Sequence, residues 1–340
     1  MIHQNKSTQQ TDVIRSWKKS LQQGFSNWLE LAQFLQLNPD EYSVVSIKHF
    51  PMRVPLSFAQ KMEKGNINDP LLRQVLPISE ELQTADGYVL DPLNEMAFNP
   101  IKGLLHKYHN RALLMLHPAC AIHCRYCFRR EFDYKAQTQA KESWQYVFEY
   151  LKTHSELDEV IFSGGDPLMH NDETLDWFIQ HLEEISHIKR LRIHTRIPVV
   201  LPDRITEGLV KVFNKTRLQK IMVIHANHPN EIAQDVTIGL KKLQQIGFTL
   251  LNQSTLLKGV NDHPETLKAL SEALFEAGVI PYYLHLLDKV KGAIHFDIEE
   301  NKAKEIHAQL KSITSGFLVP KLVREIAHQR SKTWIGSEKF

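Results

Sequence analysis

Cysteine is almost missing from this chain. Three of its 340 residues are cysteine, and all three lie inside Cys120-Ala-Ile-His-Cys124-Arg-Tyr-Cys127. The sequence holds no other thiol, so a disulfide framework is excluded and a reducing compartment, the cytoplasm, is expected. Long apolar runs are missing too: 221–224 and 248–251 are of strand length, against the ~20 residues of a membrane span. No membrane partner is expected. The first ten residues are polar and carry no apolar stretch of a signal peptide. Charge of one sign is also lacking. A net charge of +2 excludes the broad basic field of a nucleic-acid binder. An apolar fraction of 42% excludes a disordered chain, and the length allows one large α/β domain with a smaller extension.

What is present divides by texture. Ile14, Trp17 and Leu21, then Trp28, Leu31, Phe34 and Leu35, recur at helical spacing, which predicts two helices over 11–36. Residues 51–100 hold six of the fifteen prolines and no long periodic run. They read as an irregular extension with one short helix near 57–63. From residue 111 strand runs alternate with helical patterns. Strands are expected at 111–116, 159–162, 190–193, 221–225, 248–257 and 279–284. Helices are expected at 144–152, 173–184, 203–213, 232–245 and 266–277. The repeat of about 30 residues is that of a βα unit, and apolar rather than alternating strands suit a sheet covered on both faces. The expected fold is α/β: a parallel sheet curved into a partial (β/α)6 barrel, with its chemistry at the C-terminal strand ends. The units are 1–100, 101–298 and 299–340. The last holds a helix at 301–310, a strand at 317–326 and a polar tail from Ala327 to Phe340.

The three thiols form an incomplete set. An iron–sulfur cube has four irons and a structural zinc wants four ligands. Either His117 or His123 completes a zinc site, or one iron stays open for a ligand from outside the protein. The chain has no second Cys-x-x-Cys half-site, which weighs against zinc, and the loop follows the first strand onto the reactive rim. Arg125, Arg129 and Arg130 would offset a cluster's negative charge or hold an anionic ligand. Ser163-Gly164-Gly165-Asp166-Pro167 ends the second strand. Its glycines let backbone lie against a ligand, or Asp166 caps a turn. Later strands end in His194 and Arg196, His225 and Asn227, Asn252 and Gln253, His285 and Asp288. One such residue is an ordinary satisfied hydrogen bonder; four successive strands on one rim point to a site. Lys332 alone reads as a solvated tail residue. The eighteen histidines are by default surface or satisfied core residues.

Cys120-x-x-x-Cys124-x-x-Cys127 resembles the radical S-adenosylmethionine superfamily. His106-Lys-Tyr-His-Asn-Arg111, Cys127-Phe-Arg-Arg130, Ser163-Gly-Gly-Asp-Pro167, His225-Ala-Asn-His-Pro-Asn-Glu231, Leu251-Asn-Gln-Ser254, Val260-Asn-Asp262, Pro281-Tyr-Tyr283 and Ser331-Lys-Thr333 narrow the resemblance to the lysine 2,3-aminomutase family. It runs from about Arg53 to Thr333. Cys-Phe-Arg-Arg, Leu-His-Leu-Leu-Asp-Lys-Val and Leu-Val-Pro-Lys-Leu-Val-Arg-Glu-Ile are similar to the branch that makes β-lysine for modifying elongation factor P.

The resemblance implies roles for particular residues. Cys120, Cys124 and Cys127 would bind three irons of a 4Fe-4S cluster, and S-adenosyl-L-methionine the fourth. Ser163, Gly164, Gly165 and Asp166 would lie along its methionine end, with His194, Arg196 and His225 as further contacts. Lys332 would carry pyridoxal 5'-phosphate. Tyr108 and Arg111 would contact that cofactor and its phosphate, with Lys107 where the family has arginine, and Gln253 also falls on its side. Arg129 would clamp the substrate carboxylate bidentately. Asp288 and Glu325 would hold the distal ammonium of L-lysine. Glu325 departs from the family's aspartate by one methylene, and the chain lacks the extra cysteines of a structural zinc site and the oligomer it supports. The implied activity is migration of the α-amino group of L-lysine to give (R)-β-lysine. A flavodoxin- or ferredoxin-type donor would reduce the cluster, and a separate lysyl-transferring enzyme would attach the product to elongation factor P. The alternatives are a free-standing lysine 2,3-aminomutase in catabolism or solute synthesis, and a non-catalytic zinc-binding protein on a barrel scaffold.

Overall fold

The structure, a computed structural model, describes residues 17–336. One open sheet organises it, with nine strands in chain order. They are β1 (Leu104–Tyr108), β2 (Arg111–His117), β3 (Glu159–Gly164), β4 (Arg190–Thr195), β5 (Gln219–Ile224), β6 (Thr249–Thr255), β7 (Ile280–His285), β8 (Lys321–Arg324) and β9 (Thr333–Trp334). β2 to β8 run parallel. β1 and β9 are the two edges and run antiparallel to their neighbours. Each strand from β2 to β7 is followed by a helix: Trp144–Thr153, Asp172–Glu183, Glu207–Asn214, Gln234–Gln245, Pro264–Glu276 and Glu300–Ile313. Six βα units make the expected partial barrel, and it is not closed.

The local causes are ordinary. Helix Asp172–Glu183 starts where Thr174 N donates to Asn171 Oδ1 (2.8 Å), and Leu175, Phe178, Ile179 and Leu182 give it one buried face. β3 is buried along its whole length, as a central parallel strand with both faces covered must be. The main apolar core runs between sheet and helices from Trp17 to Val279. A second cluster, including Leu284, Ile306, Leu310 and Leu322, seats the last helix.

Several expectations need correction. The sheet has three strands beyond the six expected in the barrel, although β8 lies within the strand expected at 317–326. β1 went unseen because His106-Lys107-Tyr108 is polar and short, and β9 because two residues in a polar tail give no pattern. The helix expected over 203–213 begins at Glu207. Pro202 holds a 3-10 turn before it, and Thr206 Oγ1 caps Leu209 N at 3.1 Å. In the proline-rich segment the helix near 57–63 is a single turn, Leu56–Ala59. A second turn, Pro70–Arg73, is capped by Asp69. Helices at 17–22 and Trp28–Leu35 match the two expected near the start; residues 11–16 lie outside the described residues. Among the described residues no helix is long and apolar enough to cross a membrane.

Candidate active site

The cysteine loop leaves β2 at His117 and crosses Gly164-Gly165 at the end of β3. A Cβ on Gly164, at φ +119°, would stand 2.7 Å from the His117 carbonyl oxygen; one on Gly165 would stand 2.7 Å from that of Ala119. The glycines are therefore required by close passage of the loop's own backbone, fastened by Gly165 N to His117 O (2.7 Å) and Asp166 N to Ala119 O (3.0 Å). Asp166 is the expected cap and more. Its carboxylate accepts from Leu168 N (3.0 Å), Thr195 Oγ1 (2.7 Å) and Arg196 N (2.8 Å), tying β3 to β4. Burial raises its carboxyl to about 6 against these donors.

The arginines of the loop correct a second expectation. Arg125 and Arg130 do not stand free to balance charge; both grip Glu81. Arg125 Nε and Nη2 donate to its two oxygens at 2.8 and 2.6 Å, and Arg130 Nη2 donates at 2.5 Å. Arg129 grips Glu95 with Nε and Nη2 (2.7 and 2.6 Å) and sends Nη1 to Ser163 Oγ (3.2 Å) and Gly164 O (3.4 Å). Backbone bonds from His123 N to Arg53 O and from Arg125 N to Gln74 O fix the loop further. The irregular segment is thus the loop's mould. His117 Nδ1 accepts from Ala119 N (3.0 Å), and His123 Nδ1 meets Pro51 O (2.8 Å).

Arg196 is engaged through both terminal nitrogens, while its Nε is buried without a partner. Its Nη2 donates to Gln74 Oε1 (2.7 Å) and Glu231 Oε2 (2.9 Å), and its Nη1 to Cys124 Sγ (2.6 Å). Among the described residues no group of three or more His, Cys, Asp or Glu side chains stands ready-made around a metal point. The donor set nonetheless suits a cluster. Burial raises the thiols of Cys120 and Cys127, the latter to about 11, and neighbouring sulfurs raise them further. Three thiolates become favourable together only against metal charge, and soft sulfur suits iron.

At the next strand ends, amides and imidazoles part company. Asn252 pairs with Ala226 N (2.9 Å) and O (3.1 Å), and Asn227 Nδ2 donates to Tyr126 (2.7 Å) and Gln74 (3.0 Å). These amides build loops. His194 and His285 each bury an Nε2 with no hydrogen-bond partner, and Gln253 Nε2 donates to His225 Nε2 (3.0 Å). Burial holds all three imidazoles neutral, with His225 lowered to about 3. Orphaned buried nitrogens on one rim are what a bound polar ligand would satisfy.

Glu325, just past β8, gathers the other side of the site. It accepts from Lys107 Nζ (2.8 Å), Tyr108 Oη (2.9 Å) and Lys332 Nζ. Burial pushes its carboxyl up, but Lys332 and Lys107 outweigh that and hold it well below the usual range. Asp288, past β7, is raised to about 7. Burial is the main cause; Lys332 opposes it, Glu325 and Glu95 add to it, and Lys107 opposes it. Arg111 stacks on Tyr108 at 4.1 Å, and its guanidinium donates to Asn110 Oδ1 (3.3 Å). Sequence reasoning missed Glu81, Glu95, Gln74 and Glu231. Glu81, Glu95 and Gln74 lie at no strand end and in no spaced motif; Glu231 closes the motif that starts at His225, but only its buried partners Gln74 and Arg196 reveal its role.

A six-unit open barrel carrying three thiols in the loop after its first parallel strand defines a radical S-adenosylmethionine enzyme, and residues 114–270 match that superfamily. The L-lysine 2,3-aminomutase of Haemophilus influenzae is 50% identical over 329 residues, covering 95% of this chain and 97% of its own. That of Escherichia coli is 50% identical, covering 96% of each. The L-lysine 2,3-aminomutase of Clostridium subterminale is 34% identical across 93% of this chain and 77% of its own. The chain belongs to the lysine 2,3-aminomutase family, whose enzymes are isomerases.

Proposed function

We propose that the chain moves the α-amino group of L-lysine to the β carbon and releases (R)-β-lysine, which a separate enzyme attaches to elongation factor P. The observation that carries the substrate is the carboxylate pair Asp288 and Glu325. Glu325 already receives the ammonium of a lysine, Lys332, and Asp288 lies within its field. A pair of acids suits a cationic side chain and disfavours an anionic one such as glutamate's.

When bound, the 4Fe-4S cluster with S-adenosylmethionine supplies hydrogen abstraction from an unactivated carbon, and pyridoxal phosphate supplies a carrier for the migrating nitrogen. The protein's share is positioning. Cys120, Cys124 and Cys127 hold the cluster. Ser163, Gly164 and Gly165, with His194 and His225, would border S-adenosylmethionine, and Asp166 and Arg196 would contact it while tying the strand ends together. Lys332 holds pyridoxal phosphate, with Tyr108, Arg111 and Gln253 around it; Arg111 meets the phosphate as an arginine whose guanidinium is not spent on a carboxylate. Arg129 takes the substrate carboxylate. The branch reading rests on the three marks that resemble those of the β-lysine makers. A flavodoxin- or ferredoxin-type protein delivers the electron.

Reconstituted anaerobically, the protein should bind about four irons per chain. After reduction, S-adenosylmethionine and lysine should yield (R)-β-lysine on chiral chromatography, and borohydride should fix pyridoxal phosphate on Lys332. The S enantiomer would exclude the branch; trapping elsewhere would exclude the lysine role; zinc without iron would exclude the enzyme class.

A further inference from the structure

Arg129 cannot close on a second carboxylate as it stands. A guanidinium has five N–H donors. Glu95 takes Nε and Nη2 in the fork geometry that a substrate carboxylate needs, and Nη1 turns to Ser163 and Gly164. We propose that Glu95 is the resting occupant of the substrate-carboxylate position on Arg129, an internal competitor that lowers affinity and admits only ligands whose own carboxylate displaces it. This rests on the reading of Arg129 as the carboxylate clamp.

Two observations separate Glu95 from a fixed structural partner. It lines a cavity of about 300 Å3 together with Arg129, Leu90, Phe128 and Phe132, so its side chain has somewhere to go, although its backbone N is held by Asp91 Oδ1 at 3.2 Å. And its charge helps to raise the carboxyl of Asp288, the acid read for the substrate's distal ammonium. The far end of the site repeats the pattern. There Lys332, not substrate, covers Glu325. Both ends of the site thus carry an internal ion pair: Glu95 on the carboxylate clamp and Lys332 on the distal acid. Removing the charge of Glu95 while keeping its shape frees the fork.

The test compares wild type, Glu95→Gln and Glu95→Asp as reconstituted holoenzymes, by calorimetry with lysine and with acetate, and by steady-state kinetics. Glu95→Gln should bind both ligands about tenfold more tightly, the worth of roughly one charge-assisted pair. Its KM should fall and its kcat should stay within about twofold, because the chemistry is untouched. Glu95→Asp keeps the charge and should stay near wild type. Unchanged or weaker binding by Glu95→Gln overturns the proposal. So does loss of its cluster absorption, because the pair is then structural. If no variant turns over lysine yet Glu95→Gln binds acetate more tightly, the competitor stands and the lysine reading falls.

Discussion

Glu81 and Glu95 come from the same proline-rich segment, and each takes an arginine of the cysteine loop with two short bonds. Their surroundings differ. Glu81 is wholly enclosed and serves two arginines, with side-chain exposures of 0% for Glu81, 0% for Arg125 and 2% for Arg130. Glu95 serves one, at 11% and 9% exposure, beside a cavity. Identical pairing chemistry is therefore a rivet in one place and a catch in the other. Both pairs are buried, but the Glu81 pair is fully enclosed, with no opening through which another ion could replace either partner, and each partner alone would be an unpaired charge in a medium of low polarity. A pair at a cavity edge can trade its anion for another.

The sharpest way to break that contrast is to remove each acid. Glu81→Ala strands two buried guanidinium groups and should cost about 3–5 kcal/mol in urea unfolding. Glu95→Ala should cost distinctly less, about 1–3 kcal/mol. Equal losses would make both glutamates rivets. A smaller effect is expected from Gly165→Ala, whose methyl meets the Ala119 and Pro118 carbonyls at 2.7 and 2.8 Å. Displacing the loop there should cost about 1–3 kcal/mol and weaken iron retention; full iron at wild-type stability would show that the mould is softer than its contacts. The smallest effect sharpens the contrast by charge. Asp288 has a raised carboxyl pKa of about 7, so its neutral form persists to near neutrality and the anion that attracts the ammonium grows in above it. The KM for lysine should therefore rise as pH falls below about 7, by up to about tenfold per unit, and level off above. Asp288→Asn should flatten the profile. Because Glu95 is one of the charges raising Asp288, Glu95→Gln should move the break to lower pH.

The contrast also marks what could be read from sequence. The six barrel strands were legible as short apolar runs and their helices by period. The cysteine triplet and Gly164-Gly165 were legible as spaced motifs, although the glycines turned out to make room for protein backbone. The Lys332–Glu325 contact was not legible, since a lysine in a polar tail gives no pattern, and its cofactor role rests on the resemblance alone. Glu81, Glu95 and Gln74 were not legible either, since a buried polar side chain in a proline-rich stretch has no pattern until its arginine is in place. Arg125 and Arg130 were misjudged for the same reason: their charge was visible, but their partner, 44 and 49 residues away, was not. Edge strands β1 and β9 escaped because their short, polar sequences have no apolar alternation to display.

β1 and β9 are the two free edges of the sheet, and no backbone ladder joins them. Side chains do. Lys107 and Tyr108 stand on β1, Lys332 directly precedes β9, and all three meet on Glu325. The barrel has a seam, and the seam is sewn by charge. Two departures that look independent, Lys107 for arginine and Glu325 for aspartate, are direct partners at 2.8 Å. A seam of this kind differs from a ladder in one practical respect: ions loosen it, and a cofactor that takes the ammonium of Lys332 undoes one of its stitches as it enters.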